Sequence, residues 1–559
     1  MNEPQVSLAV GAPVFRDTTL AQCARDNGVL AAWQAALAQD AAAAAAKVDG
    51  EFAVALREPS GRVFLAVDRF AIRTLCYRVV GDQLLFALRA DALVDAAESA
   101  PLDRQAIFDY IYFHVIPSPR TIFKDVFRLP PGHFALFENG KLTVAPYWVP
   151  TFDDAATFQP GAEKETFKEL LRLAVADQLD GSKPACFLSG GTDSSTVAGM
   201  IGLAAGRPAA TYSIGFEAEG YDEMEYARIT ARHFGTEHHE YYVTPADLLS
   251  GIPAVAAHYD QPFGNSSAVP AYFCARVAHD DGVTRLLAGD GGDELFGGNS
   301  RYAKQKIFGA WDAVPRAMRS GLLEPIFGLP AVAKAPLLRK GASYIEQARV
   351  PMPDRMHRWN LLNSLGIANI FTPDFLEGID TAAPARQQRE IWSHAVTGDL
   401  VNRMLAFDWH YTLAETDLPK VCGTTELAQV SVGFPMLDPR LLAYALRMPP
   451  RFKVKGLQLR WFFKQALRGF LPDATITKKK QGFGLPFGVW ATRHDGLRRL
   501  AADSLGSLST RGIIRPEFIK ELLDERLESH PGYYGEMIWI LMMLEQWIQS
   551  HQPRLGRLT

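Results

Sequence analysis

Residues Pro184–Met200, PACFLSGGTDSSTVAGM, restrict the fold more than any other stretch of this chain. The apolar run Ala185-Cys186-Phe187-Leu188 predicts a short buried strand. Ser189-Gly190-Gly191 ends it, and Asp193-Ser194-Ser195 opens an apolar-periodic helix. Paired glycines let backbone N–H groups come close to a ligand, and the start of a helix offers unsatisfied donors and a positive dipole end to a phosphate. Asp193 is of the type and place to hold the magnesium ion that accompanies a pyrophosphate. The spacing is not that of the Walker loop, GxxxxGK followed by Ser or Thr. Taken alone, the same letters also describe an ordinary strand–turn–helix with Ser/Gly punctuation.

The surrounding pattern divides the chain in two. Up to residue 149 it reads as strand-rich: Val6–Phe15, Glu51–Leu56, Arg62–Val67, Cys76–Val80, Gln83–Ala87, His133–Phe137 and Lys141–Trp148 alternate and are separated by turn residues. Thr19–Lys47, including the alanine run Ala41–Ala46, predicts plain helix, because alanine is the best helix former; Asp103–Ile116 predicts another. A polar linker, roughly 150–161, follows. From about residue 160 helices alternate with apolar strands at Ala185–Leu188, Ala209–Phe216, His238–Val243 and Arg285–Ala288, which argues a parallel sheet covered on both faces. Beyond Tyr302 the chain reads as mostly helical, Gly535–Ser550 included.

In such a sheet ligands sit beyond the carboxyl ends of the strands. The first strand ends in SGGTDSS, the second in Gly215-Phe216, and the fourth runs into GDGGDELFGG. Asp290 and Asp293 therefore share a rim with Asp193, and Asp293 is spaced to face it across a bound Mg²⁺–pyrophosphate. The five scattered cysteines include no CxxC pair and no His/Cys cluster, so a disulfide framework or structural zinc is not expected, and a reducing, cytoplasmic setting is. A net charge of −4 provides no nucleic-acid footprint. No apolar run is long enough for a membrane, and MNEPQVSLAV does not read as a signal peptide.

The blocks SGGTDSS, YSIGF, YDEMEYARITARHFGTEHHE, DQPFGNSSAVP and GDGGDELFGG, with GFPMLDPRLL and KKKQGFGLPFGVW further on, resemble the synthetase domain of glutamine-dependent asparagine synthetases and of their relatives, the β-lactam and carbapenam synthetases and lasso-peptide cyclases. The N-terminal part resembles their glutaminase domain over VDGEFAVALREPSGRVFLAVDRFAIRTLCYRVVGDQLLFALRADALV and TIFKDVFRLPPGHFALFENGKLTVAPYW. The resemblance implies a truncated Ntn-hydrolase-like sandwich over 1–149, followed by an α/β pyrophosphate-loop domain over 160–559 with a helical C-terminal part. It implies that ATP and Mg²⁺ are used to adenylate a carboxylate, which an amine then converts to an amide. Ser189, Gly190, Gly191, Asp193, Ser194, Ser195, Ile214, Gly215 and Gly289 become the ATP and pyrophosphate residues, and Asp193 and Asp293 the metal ligands. Lys480 becomes the lysine near the α-phosphate, although a lysine triplet alone reads as a solvated turn. Asp290, where relatives carry an acid or a tyrosine, becomes the group that orients or deprotonates the amine; by itself it also suits a turn-capping carboxylate.

Two departures shape the expected function. Glutamine-using members need cysteine directly after the initiator methionine, since its α-amine is the base for its own thiol. Here residue 2 is Asn2, Cys23 lies in a helical pattern, and Gly28 falls where an acid is expected, so no glutaminase nucleophile is assigned. Cys422-Gly423 and Gly433 stand where asparagine synthetases carry an acidic-basic pair and an arginine. The β-lactam synthetase glutamate aligns with Pro419, leaving Glu415 and Asp417 as the nearby acids. The sequence therefore predicts an AMP-forming amide synthetase or cyclase without glutaminase activity. It would act on a small-molecule or peptide carboxylate, with a homodimer or a biosynthetic partner protein left open. An ammonia-dependent asparagine synthetase and a nucleotide-binding scaffold are the alternatives.

Overall fold

The computed structural model describes residues 6–94, 100–218, 220–312, 314–319, 321, 344–358, 360–478, 484–551 and 555–558. In the first unit the strands are β1 (Leu8–Phe15), β2 (Val48–Arg57), β3 (Val63–Val67), β4 (Cys76–Val80), β5 (Gln83–Ala87), β6 (Ala100–Leu102), β7 (Phe127–Arg128), β8 (His133–Glu138) and β9 (Lys141–Pro146). All but β6, which pairs with Leu555–Leu558, build a five-stranded antiparallel sheet in the order β1-β2-β3-β8-β9 and, lying against it, a smaller sheet, β5-β4-β7. The period of two along β2 makes it two-sided. Phe52, Val54 and Leu56 join Trp33 on one face, while Ala53 and Ala55 join Tyr77, Leu84 and Phe86 of the second sheet on the other. The strands are those that the alternation predicts, and their sandwich is the one that the family resemblance implies.

One expectation fails here. The stretch Thr19–Lys47 is not one helix: α1 (Thr18–Asn27) and α2 (Val29–Gln39) are broken by Gly28 at φ +90°. The alanine run forms turns and a short 3₁₀ segment (Ala45–Lys47). Asp40 is extended and its carboxylate accepts from the N–H groups of Ala42 and Ala43. Ala44 and Ala45 are buried in the Trp33 cluster. Packing at this corner overrides alanine's helix propensity.

Helix α3 (Arg104–Phe113) belongs by sequence to the first unit but packs into the C-terminal helices: the Tyr110 hydroxyl donates to the Ile540 carbonyl at 2.9 Å, and Phe108 meets Phe371. After α4 (Pro160–Ala176) come β10 (Ala185–Phe187), α5 (Thr192–Ala205), β11 (Ala210–Phe216), α6 (Met224–Phe234), β12 (Glu237–Val243), α7 (Pro245–His258), α8 (Ala268–Asp280), β13 (Arg285–Leu287) and α9 (Gly292–Phe296). A fifth strand, β14 (Ser431–Gly433), lies at the sheet edge. The sheet is wholly parallel, in the order β12-β11-β10-β13-β14. The chain winds outward from β10 through β11 to β12, then returns to β13 on the other side. The strand order thus reverses between β10 and β13, and a crevice opens where their two loops part. The long helix Pro531–His551 is buried along most of its length. Among the described residues no helix is long and apolar enough to cross a membrane.

Candidate active site

The loop after β10 and the loop after β13 meet at that crevice. Gly190 has φ +68°, and a Cβ there would lie 2.5 Å from the Ala227 nitrogen of α6, so only glycine permits the turn. Ser194 staples the loop: its hydroxyl accepts from the Ser189 N–H at 3.1 Å and lies 3.0 Å from the Ser189 hydroxyl. Gly289 closes on the start of α5, since a Cβ there would sit 2.7 Å from the Ser194 nitrogen. Ser195 is turned inward. Its hydroxyl is 2.9 Å from that of Thr230, which is 3.2 Å from that of Thr475, a buried hydroxyl chain linking α5, α6 and the helix Asp473–Thr477.

The two expected metal ligands converge on one cation. Arg460, 8% exposed, reaches the Asp193 carboxylate through one terminal nitrogen and the Asp293 carboxylate through the other. Arg460 sits in the left-handed region (φ +51°) at the start of the helix Trp461–Ala466, which turns its side chain back to the crevice. Burial acts to lower its pKa, but Asp193 and Asp293 outweigh it and hold it above the ordinary guanidinium value. Lys464, one turn on, is lowered by burial and by the Arg460 charge. Two carboxylates aimed at one point offer hard oxygen donors that fit Mg²⁺. Gly292 and Gly298 allow this, because a Cβ at either would run into the Asp193 or the Asp293 carboxylate.

Ile214 lines an apolar slot of about 140 Å³ beyond β10 and β11, with Leu188, Tyr221 and Met224. Gly215 does not face it; its Cα lies against the Tyr242 ring. Lys480 lies outside the described residues. The first lysine of its triplet, Lys478, is at the rim: its Nζ is 3.5 Å from the Ser189 carbonyl, 3.1 Å from the Glu223 carboxylate and 4.5 Å from the Tyr226 ring centre.

Asp290 is half-buried, and burial pushes its pKa to about 6 against the opposing pull of Lys420. Lys420 Nζ stands 3.9 Å from Asp290 and 2.9 Å from Asp417. Burial acts to lower the Lys420 pKa, and the carboxylates of Asp417 and Asp290 more than reverse this. Of the two acids open from sequence, Asp417 is the one beside Asp290. Glu415 is 3% exposed and spent on the first unit, where Arg128 and the Ser118 N–H and hydroxyl bind it. Both acids sit on a π-helical stretch, Trp409–Asp417, whose wide turn separates their directions. The place of the missing acidic-basic pair is taken by an aromatic ring: a Cβ on Gly423 would lie 2.6 Å from Tyr259, whose hydroxyl is bonded to the Pro419 and Lys420 carbonyls.

Arg460, Lys478 and Lys420 were not singled out from the sequence. Arg460 and Lys420 stand among apolar neighbours with no pattern in their spacing, and Lys478 alone carried a signal, as a member of the triplet.

A family model for asparagine synthase matches residues 166–549, and one for a glutamine amidotransferase domain matches residues 21–148. The chain is 26% identical over 533 residues to asparagine synthetase (glutamine-hydrolyzing) 1 of Bacillus subtilis strain 168, covering 91% of this chain and 81% of the relative. It is 33% identical over 247 residues to putative asparagine synthetase (glutamine-hydrolyzing) 2 of Methanocaldococcus jannaschii, covering 43% and 47%. To amidase chyE of Penicillium rubens it is 24% identical over 497 residues, covering 79% and 70%.

Proposed function

The chain belongs to the asparagine synthase family and is a carbon–nitrogen ligase, and on that premise we propose that it adenylates a substrate carboxylate and passes the acyl group to a substrate amine, without hydrolysing glutamine. The observation that carries this reading is the meeting of Asp193 and Asp293 on one guanidinium at the crevice, with the glycine loop beside them. A carboxylate oxygen attacks the α-phosphorus of ATP, the bond to the β-phosphate oxygen breaks, and pyrophosphate leaves. The amine nitrogen then attacks the acyl carbon, the bond to AMP breaks, and the proton passes to the Asp290 carboxylate. Ser189, Gly190, Gly191 and Ser194 cradle the departing phosphates, Arg460, Lys464 and Lys478 offset their charge, and Ile214 borders the adenine. Lys480, outside the described residues, is assigned to the α-phosphate by the family resemblance alone. Asp193 and Asp293 would hold Mg²⁺, which when bound neutralises developing phosphate charge.

We read the amine as coming from substrate, a reading supported by the placing of the first unit's two cysteines, Cys23 within a helix and Cys76 in a buried strand. Cys23 lies within α1, its sulfur 3.8 Å from the Asn27 amide nitrogen, and no α-amine adjoins it. The unit persists because it is structural: Phe70, Trp148 and Trp409 form one aromatic contact across the two units. The reading is tested by ATP–pyrophosphate exchange with a panel of carboxylates. Exchange that needs a carboxylate and is untouched by glutamine supports it; exchange with none, or amide formation only with glutamine, sinks it. A second reading, asparagine from aspartate and ammonium, is favoured by the acid at Asp290 with Lys420 beside it, and direct detection of asparagine from ATP, aspartate and ammonium decides for it.

A further inference from the structure

The helix that carries Lys420, Leu418–Leu427, continues the π-helical stretch Trp409–Asp417 without a break. Residues of the first unit grip this run along its length. Trp409, at its start, packs against Phe70 and Trp148. Tyr411 stacks on Phe113 with ring centres 5.4 Å apart. Beyond Lys420, the Cys422 thiol donates to the Ile72 carbonyl at 3.8 Å. These three are apolar contacts or a weak hydrogen bond. The fourth, at Glu415, is of another kind.

Both oxygens of the buried Glu415 carboxylate are taken by the first unit. Oε1 accepts from the Ser118 N–H at 3.1 Å and from the Ser118 hydroxyl at 2.5 Å, and Oε2 receives the Arg128 guanidinium. The donors are themselves fixed. Arg128 also donates to the Ile116 carbonyl at 3.0 Å, its backbone N–H donates to the Pro119 carbonyl at 2.9 Å, and the Gln387 amide donates to the Ser118 carbonyl at 2.8 Å. Charge-assisted bonds are strong and directional, and a buried carboxylate stripped of its cation is strongly disfavoured, so Glu415 stays where the first unit puts it. From there the constraint runs along the helix to Lys420, whose Nζ lies 2.9 Å from Asp417 and 3.9 Å from Asp290. The π-helix is a rare conformation. Relaxing it towards an α-helix would carry the residues beyond it around the axis and move Lys420 relative to Asp290.

We propose that the first unit positions the amine-transfer centre: Arg128 and Ser118, by holding Glu415, set where the Lys420 ammonium stands against Asp290. The inference rests on the adenylation reading and gives a task within it to a unit that has been assigned no glutaminase nucleophile. Arg128, Ser118 and Glu415 are positioning residues, acting through Lys420. The pyrophosphate loop and the two crevice carboxylates are held by other groups, Ser194, Gly289 and Arg460. The hold on Glu415 therefore bears on the second half of the reaction, the attack of the amine, and not on the first.

The test uses the full chain, the carboxylate that gives the fastest pyrophosphate exchange with the wild type, and ammonium as the amine probe. Arg128→Met should leave exchange within about twofold of the wild type and lower kcat for amide formation by about 10²-fold, the loss that a misplacement of about 1 Å brings. Arg128→Lys, which keeps a cation opposite Glu415, should recover part of that loss. Glu415→Gln keeps an acceptor for Ser118 and buries no charge, so it should show the same split between the two half-reactions where Arg128→Met is too unstable to purify. In a Lys420→Met background Arg128→Met should cost nothing further, because residues that act through one another are not additive. Hydrogen exchange followed by mass spectrometry needs no substrate: peptides covering Trp409–Leu427 should exchange faster in Arg128→Met, and those covering Pro184–Ala205 should not. Equal losses in pyrophosphate exchange and amide formation, a further loss in the Lys420→Met background, or unaltered hydrogen exchange over Trp409–Leu427 would overturn the proposal. If no carboxylate supports pyrophosphate exchange with the wild type, the adenylation reading fails, and hydrogen exchange over Trp409–Leu427 alone then decides for or against the hold.

Discussion

Arg460→Met removes the charge that holds the two crevice carboxylates together while keeping a side chain of similar length. In the folded chain the guanidinium is 8% exposed and meets Asp193 on one side and Asp293 on the other. Without it two carboxylates face each other in a setting that water reaches poorly. Removing one partner of a buried ion pair destabilises by about 3–5 kcal/mol, since the remaining charge is left uncompensated. A divalent cation offered to the variant has a vacated seat between two oxygen donors. At a concentration about one hundred times its dissociation constant, bound cation returns about 2.7 kcal/mol. Urea midpoints measured in EDTA and in excess Mg²⁺ should therefore differ little for the wild type and widely for Arg460→Met. Mn²⁺ titrations followed by electron paramagnetic resonance, with no nucleotide present, should show binding at least about tenfold tighter in the variant, the equivalent of about 1.4 kcal/mol. If the variant is as stable in EDTA as in Mg²⁺, and binds Mn²⁺ no better than the wild type, then Asp193 and Asp293 are not a metal pair and the crevice does not work as described.

Two further outcomes test other parts of the molecule. Burial raises the Asp290 pKa to about 6, so its base form fills as pH rises through that value; kcat/KM for amide formation should climb there, and Asp290→Asn should lose about 10²–10⁴-fold together with that limb of the pH profile. Lys453 is 1% exposed, bonded to the Asn402 carbonyl at 2.7 Å, and burial lowers its pKa to about 7. Between about pH 7 and the unfolded value of 10.5 the unfolded chain binds the proton and the folded chain does not, so wild-type stability rises with pH across that window. Lys453→Met should flatten the rise and stabilise the protein at neutral pH by about 1–4 kcal/mol, read from chemical denaturation at several pH values.

Much of the fold was legible because the signals were local. The period-two alternation of Glu51–Leu56 and Arg62–Val67 placed β2 and β3, and short apolar runs ending in glycine placed β10, β11 and β13. Where a local preference was outvoted by packing, the reading went astray: Ala41–Ala46 has every propensity for helix, yet Ala44 and Ala45 are needed as small buried wedges beside Trp33. Strand β14 escaped because three residues, Ser431–Gly433, carry no period, and only hydrogen bonding to β13 makes them a strand.

The candidate site divides in the same way. Glycines and aspartates in fixed loops were visible because backbone turns demand glycine at Gly190 and close approach demands it at Gly298. The cations were not, because a long Arg or Lys side chain reaches its partner across the fold and leaves no trace in spacing: Arg460 lies 267 positions from Asp193. The choice between Glu415 and Asp417 was likewise a matter of direction around one π-helical turn, which sent the first toward Arg128 and the second toward Lys420.

By itself the sequence determined the family, the parallel sheet and the two acidic glycine loops, since each is written in contiguous residues whose backbone geometry is local. Only the tertiary structure decided that Arg460 joins those loops and that Tyr259 takes the space over Gly423. Those are contacts between residues far apart in the chain, and their free energy depends on burial and direction, which no single stretch of sequence contains.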